Sequence, residues 1–351
     1  MTLETSRSPN PTDRAHPAIL RAAGYTLLEI MVVMMLIAAL MGMGLGMLNR
    51  QGNELERAGS LIRDVARMAR NHARFYRAPA RVVMAPPPGI AADGEERTLS
   101  VIALQPVCEW NFDDGRPHGT RGIGGKLGSA IIAPGGRIGQ GLFPDAENQA
   151  PALHLDVRTM PAFDLRGGFV ARCDVRLDQR SACTILRMGD AWELGIGAAG
   201  KVRGAVTFAR DNGKPGRRVV LNSAARLPLR RWVRVALIVD RLRVVLTVNK
   251  REEASDKADT KCYRDPRASF VVSDGGAPVL GVVDSVALFA FDVVTQESLP
   301  EFVDYVSGPE TLGFDADGLV DRRMHPILPE YRLARNGAEE VIGFESGGLS
   351  R

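Results

Sequence analysis

The sequence predicts an α+β protein in three parts: a long N-terminal transmembrane helix, a small β head, and a large all-β sandwich set within that head. Three observations predict it. An apolar run with no charge after Glu29 extends to Leu48, and about 20 apolar residues cross roughly 30 Å of hydrocarbon as one helix. Apolar residues at helical spacing follow that run. From about residue 108 the chain then breaks into many short alternating stretches separated by glycine turns.

Residues 1–24 read as a leader, with Arg7, Arg14 and Arg21 among Ser, Pro and Asn and no apolar period. Arg21 suits a cytoplasmic side, but Arg50 and Arg57 follow the apolar run, so charge counting alone does not fix orientation. A removable signal peptide fits poorly. Its apolar core would be about 7–15 residues with a small-residue cleavage site after it. Here Gly24-Tyr25-Thr26-Leu27-Leu28-Glu29 precedes the apolar segment. A carboxylate inside such a helix costs on the order of 2.5–3.5 kcal/mol at the bilayer centre and less near its edge.

That hexapeptide, joined to an uninterrupted apolar helix, resembles the prepilin cleavage site of type IV pilins and type II secretion pseudopilins. The resemblance implies a prepilin peptidase as partner, a cut between Gly24 and Tyr25, and N-methylation of Tyr25. It also implies other pilin or pseudopilin subunits as partners, joined through Glu29 in filament assembly. The placement it implies is single-pass in a bacterial inner membrane, with the C-terminal domains in the periplasm or an extracellular filament. Tyr25 stands where the family usually has Phe, and Tyr is at home in a membrane interface. In a bundle of such helices Glu29 can meet a neighbour's Tyr25 amine, which relieves the cost of burying either charge alone. Glu29 also favours its own helix N-terminus.

Composition is otherwise quiet. The chain has 351 residues and a net charge of +4, enough for two ordinary domains and a membrane helix. Its basic residues are scattered, without the aromatic-basic interleaving of a nucleic-acid surface, so no nucleic-acid partner is expected. Four cysteines are few for a disulfide scaffold. His16, His72, His118, His154 and His325 are too far apart for a zinc spacing.

The transmembrane helix is expected over 25–49 and the pilin-like amphipathic helix and first head strands over 50–107. Leu55, Ala58, Leu61, Ile62, Val65, Met68, Ala69 and Ala73 mark one helical face. Gly42, Gly44 and Gly46 between the halves each weaken a helix by about 1 kcal/mol relative to Ala. Close helix packing and a segment that melts on filament assembly both account for them. Ala80–Met84 and Leu99–Val107 read as strands, separated by the turn Pro86-Pro87-Pro88-Gly89.

Residues 108–308 read as the sandwich. In the strand expected over Gly168–Leu177, Phe169, Ala171, Cys173, Val175 and Leu177 face one way, while Val170, Arg172, Asp174 and Arg176 face the other. That is a strand with one buried face. Further strands are expected at 153–157, 184–188, 192–196, 202–208, 232–239, 243–249 and 282–291. Such repetition with regular turns argues for two packed sheets. The segments Phe112-Asp113-Asp114-Gly115, Gly136–Leu142, Arg231–Ala236, Leu246–Asn249 and Gly281–Val286 together resemble the laminin-G-like, concanavalin A-like jelly-roll family. The resemblance implies a binding domain for glycan or protein. The family's usual glycine after Asn249 is Lys250 here, which puts a sugar-facing role for that turn in doubt.

Some members of that fold family hydrolyse glycosides, which takes two flanking carboxylates about 5–5.5 Å apart for retention. No same-face pair of acids appears on one strand. Glu252 and Glu253 are adjacent and are expected in a solvated loop over 251–260. No enzyme activity and no cofactor are expected. Asp113 and Asp284 are candidates for a structural Ca²⁺, although the reading favoured is that Asp113 and Asp114 form a turn before Gly115. Cys173 and Cys183 flank an expected turn at 178–181. They read either as a disulfide, which export would permit, or as buried free thiols.

From 309 the text resembles the C-terminal strands of minor pseudopilin heads: Thr311–Gly318 as strand and turn, Tyr331–Leu333 as a strand, Asn336-Gly337 as a turn and Val341–Phe344 as a last strand. Those strands complete the head if the sandwich is inserted at a loop, where closely spaced ends are tolerated. The alternative is a serial arrangement with a short tail.

Overall fold

The computed structural model describes residues 27–85, 97–259, 261–300, 303–335, 337–345 and 347. The chain divides into two units, Met1–Asn53 and Glu54–Arg351. One helix, α1 (Leu27–Tyr76), contributes to both. The strands follow in order: β1 (Ala80–Ala85), β2 (Thr98–Trp110), β3 (Lys126–Leu127), β4 (Ala130–Pro134), β5 (Gln140–Pro144), β6 (Leu153–Asp156) and β7 (Phe169–Leu177). Next come β8 (Cys183–Met188), β9 (Trp192–Ile196), β10 (Lys201–Ala209), β11 (Pro215–Arg226), β12 (Trp232–Val239), β13 (Arg243–Val248) and β14 (Arg251–Lys257). The chain ends with β15 (Ser269–Val272), β16 (Gly281–Ser298), β17 (Asp304–Ser307), β18 (Thr311–Phe314), β19 (Glu330–Arg335) and β20 (Ala338–Gly343).

The architecture corrects the expectation of an α+β molecule built on a transmembrane helix: the fold is mostly β sandwich. Among the described residues no helix is long and apolar enough to cross a membrane. The single-pass inner-membrane placement rested on that span and falls with it, as does the pilin or pseudopilin assignment. Gly24 and Tyr25, the expected cleavage and methylation positions, lie outside the described residues.

The second unit holds a large and a small core. In the large one, a sheet of order β14-β13-β12-β7-β16-β2-β1-β18, with β4 and β5 beside β16, faces a sheet of order β11-β10-β9-β8-β15-β6-β3. The inner positions of β7 fill the space between them as the alternation requires: Phe169, Ala171, Cys173, Val175 and Leu177 are all buried. At the centre Phe270 stacks on Trp110 at 5.3 Å between ring centroids, with Trp192 at 6.1 Å and Phe163 at 6.3 Å. The β13–β14 hairpin turns on Asn249 (φ 50°) and Lys250 (φ 69°). Two positive φ values are what a two-residue primed turn demands, so the departure from glycine leaves the turn type intact. Residues 251–257, expected in a loop, form edge strand β14. Its partner β13 meets Ala254 opposite Leu246 and Glu252 opposite Thr247, with an irregularity between.

The small core takes Leu55, Ala58, Ile62, Val65, Ala69 and Ala73 of α1 against β1, the first half of β2, β18, Tyr331 and Leu333 of β19, and Ile342 of β20. The helical face is as the spacing predicts, except that Met68 is exposed. The helix stops at Arg77, which adopts φ 52° while Ala78 donates its amide to the Ala73 carbonyl, a left-handed cap. Chain segments separated by more than 200 residues meet here: Val82 of β1 lies opposite Leu312 of β18, and Arg63 reaches Glu340 at 2.9 Å.

Two strands join the cores. β2 and β16 pair from Trp110–Val286 at the sandwich end to Thr98–Ser298 at the small-core end. β16 therefore runs 18 residues, well past the Phe291 at which its apolar pattern stops. The extension is held by backbone pairing with β2 and by Val294, which packs against the small core. Arg81 of β1 lies 3.6 Å from Asp240 in the β12–β13 turn. Asp240 also accepts the amides of Leu242 and Arg243 at 2.6 and 2.8 Å.

The small core contains a titratable acceptor. The Gly313 amide donates to His325 Nε2 at 3.0 Å, so that nitrogen carries no proton. Burial pushes the His325 pKa below its ordinary 6.5, with Asp321 pulling weakly the other way. The unfolded chain takes up this proton near pH 6.5 and the folded chain resists it. Stability from this site is therefore full above pH 6.5 and declines as pH falls below it. Thermal melts at pH 7.5 and 5.5 are expected to show a smaller acid loss for His325→Gln than for the parent. Equal losses would remove His325 from the account.

Candidate functional site

The sequence-expected site residues divide into three groups. Glu29 lies in α1. Cys173 and Cys183 sit on opposite sheets, on β7 and β8, and the turn between them is a crossing from one sheet to the other, not a hairpin. All four cysteines are buried free thiols. Burial raises each above its ordinary value, to about 12 for Cys183, so these thiols stay protonated and unreactive.

Asp113 and Asp284 do come together, beside the glycine-rich segment 135–140. Asp284 Oδ2 accepts the amides of Arg137 at 2.7 Å and Ile138 at 3.4 Å, and Oδ1 accepts its neighbour Ser285 at 2.6 Å. Asp113 Oδ1 accepts the Gln140 amide at 3.2 Å. Burial raises the Asp284 pKa, against those amides, and the Asp113 charge adds to the rise. Among the described residues no group of three or more His, Cys, Asp or Glu is placed to hold a metal ion. Calcium takes 6–8 oxygens, and these two carboxylates are occupied in tying down a loop.

The same loop reveals a residue that alternation misassigned. Asp174 was expected on the solvent face of β7, yet it is fully buried. Arg234 grips it through Nε at 2.8 Å and Nη2 at 2.7 Å, and Arg137 Nη1 reaches it at 2.7 Å. The two guanidiniums and the 135–140 segment cover a sheet face that the strand pattern alone leaves open. This network braces the fold.

A candidate ligand site lies elsewhere on the sandwich. A cleft of about 440 Å³ opens there, within the range of ligand pockets. Four chain segments build it. After β6, Met160 donates its amide to Val157 and Phe163 donates to Met160, both at 3.1 Å, and this tight winding sets Phe163 in the cleft floor beside Met188 at the end of β8. In the β10–β11 hairpin, Gly213 at φ 74° and the Asn212 side chain, which accepts the Lys214 amide at 3.0 Å, present Lys214. The stretch after β14 is tied to β10 by Cys262 opposite Phe208 and by the Tyr263 amide donating to the Thr207 carbonyl at 2.9 Å. Tyr263 is thereby fixed in the wall, half-buried.

Three cations and one carboxylate line this cleft: Arg158, Lys214, Arg264 and Asp265. Asp265 is turned into the fold, with Oδ1 accepting the Arg267 amide at 2.9 Å and Oδ2 the Asp190 amide at 3.1 Å. Arg158 pairs side by side with Asp156, whose pKa this contact holds well below the usual carboxylate range. Arg264 stands 3.8 Å from Asp164, whose charge is already clamped by Arg166. An apolar floor, the Tyr263 wall and a rim of donors are chemically suited to a polyhydroxylated ring: an apolar ring face packs on the tyrosine, and hydroxyls or acidic groups meet the rim. Nothing in the sequence singled these residues out, since Arg158, Lys214 and Tyr263 are about fifty residues apart. The nearest signals are the turns Asp211-Asn212-Gly213 and Arg264-Asp265-Pro266, which mark loops without saying that they converge.

No protein-family model matches the chain, and no curated protein matches it in sequence. Similar solved structures include domain 4 of a GH43 extracellular arabinanase from Geobacillus stearothermophilus in complex with arabinotriose. It is 15% identical with a TM-score of 0.40, over 55% of this chain and 95% of that one. The binding domain of Paraclostridial Mosquitocidal Protein 1 is 8% identical with a TM-score of 0.43, over 68% of this chain and 73% of that one. A Ruminococcus gnavus sialidase CBM40 bound to α2,3-sialyllactose is 14% identical with a TM-score of 0.29, over 42% and 90%. These are all-β binding domains of jelly-roll type, and likenesses this distant transfer no function.

Proposed function

We propose that this chain is a glycan-binding protein whose jelly-roll sandwich, residues 108–308, is inserted in a small head made from 50–107 and 309–351. The reading is carried by the cleft on the sandwich, where the half-buried Tyr263 stands over an apolar floor among polar lining residues. The insertion is supported by the path of the chain, which leaves the small core along β2 and returns to it along β16. Binding is favoured over hydrolysis because a glycosidase needs two carboxylates across the scissile bond. Asp265 is the lone carboxylate among the residues lining the cleft, and its oxygens are engaged by backbone amides. Glu252, on edge strand β14, pairs with Arg243 at 3.1 Å and lies away from that lining.

Tyr263→Ala tests the reading. An aromatic contact of this kind contributes about 0.5–1.5 kcal/mol beyond its buried area, so affinity for any glycan bound by the parent should fall about tenfold or more. Calorimetric titration against a panel of oligosaccharides measures it, with circular dichroism confirming that the variant is folded. Unchanged affinity in a folded Tyr263→Ala protein would remove the cleft as the binding site.

A further inference from the structure

We infer that the cleft selects an acidic saccharide, a sugar ring carrying a carboxylate or sulfate group. This rests on the glycan-binding reading above and names the class of ligand. The argument is one of local charge. Arg158, Lys214 and Arg264 line the cleft, and Asp265, the opposing carboxylate, spends both oxygens on the amides of Arg267 and Asp190.

The three cations differ in what is left for a ligand. Arg158 is engaged by Asp156 through two nitrogens, so it contributes a fixed positive edge. Arg264 touches Asp164 only at 3.8 Å, and its Nη2 reaches the Arg158 carbonyl at 3.5 Å. Its donors are therefore weakly satisfied and free to turn to an anion. Lys214 forms no ion pair among the described residues, and its backbone amide is held at the hairpin tip by the Asn212 side chain beside the Gly213 turn. An arginine fork and a lysine ammonium flanking an aromatic wall present two kinds of donor to one anion: planar and bidentate from Arg264, mobile from Lys214. Tyr263, half-buried in the wall, then takes the ring that carries it.

The chain as a whole is +4, too little to steer acidic polymers by net charge. The preference therefore resides in the cleft and is screened by salt over a Debye length of about 8 Å at physiological ionic strength.

The test is a titration of the full chain with four probes: oligogalacturonate and sialyllactose as carboxylates, a chondroitin sulfate oligosaccharide as a sulfate, and arabinotriose as a neutral control. At least one acidic probe should bind tenfold or more tighter than arabinotriose, and its affinity should weaken between 50 and 300 mM salt. Lys214→Ala and Arg264→Gln should each reduce that affinity several-fold while leaving the melting temperature unchanged. The comparison of carboxylated with sulfated probes identifies the anion. If arabinotriose binds as tightly as every acidic probe, the charge selection is overturned while the glycan-binding reading stands. Acidic binding that survives both substitutions would overturn the assignment to this cleft. If no probe binds, both readings fail.

Discussion

Replacing Asp174 by Ala is expected to lower the unfolding free energy by about 3 kcal/mol, near the lower end of what breaking a buried ion pair costs. The lower end is the right one because the partners keep some water: Arg137 and Arg234 side chains are 42% and 31% exposed, whereas Asp174 is fully buried. Removing the carboxylate takes away three short charge-assisted contacts and leaves two guanidiniums crowded over one sheet. Asp174→Asn keeps the shape and some hydrogen bonding, and should cost roughly half as much. Urea denaturation measures both. A loss below about 1 kcal/mol for Asp174→Ala would mean that the arginines find other partners at no cost, and that Asp113 and Asp284 suffice to hold the 135–140 segment.

Phe270→Ala is expected to be costlier still, about 3–5 kcal/mol, the range for deleting a large aromatic from a packed core. Phe270 is the ring against which Trp110, Trp192 and Phe163 all pack. Those neighbours come from strands of both sheets and from the turn after β6, so the cavity cannot be closed by shifting one element. Phe270→Leu fills most of the volume and should recover more than half of the loss. Tryptophan fluorescence reports the change directly, because Trp110 and Trp192 line the cavity. There is a functional consequence as well. Phe163 touches Phe270 on one side and forms the cleft floor on the other, so Phe270→Ala should loosen ligand binding in protein that remains folded. A loss under 1 kcal/mol would show that the three surrounding rings collapse onto one another without it.

Sandwich strands could be read from residues wherever the apolar pattern and the strand coincide. β9 and β12 fall at the residues their alternation indicates, and β7 begins one residue later than expected. Elsewhere local pattern and final structure part company. β11 carries Arg217, Arg218, Asn222 and Arg226 on a largely exposed strand, so it lacks the apolar signal by which strands are recognised. The second half of β16 is polar for the same reason: β2 supplies its hydrogen bonds and the helix-packed core begins beside it. Asp174 obeyed alternation in direction but not in exposure, since arginines from residues 137 and 234 lie over it. The apolar segment after Glu29 suggested a membrane span and with it a pilin. The described part of the helix does not provide such a span.

The sequence by itself determined the periodicities: a helical face from Leu55 to Ala73 and a sheet-forming region with period two. Such features depend on residues close together in the chain, so they are written locally. Tertiary structure alone decided which strands share a sheet, that β2 and β16 carry two cores, that Asp174 is buried, and that Arg158, Lys214 and Tyr263 border one cleft. Each of those facts joins segments tens to hundreds of residues apart. The free energy that joins them is non-directional burial of apolar area together with a few charge-assisted contacts, and neither leaves a mark at any single position.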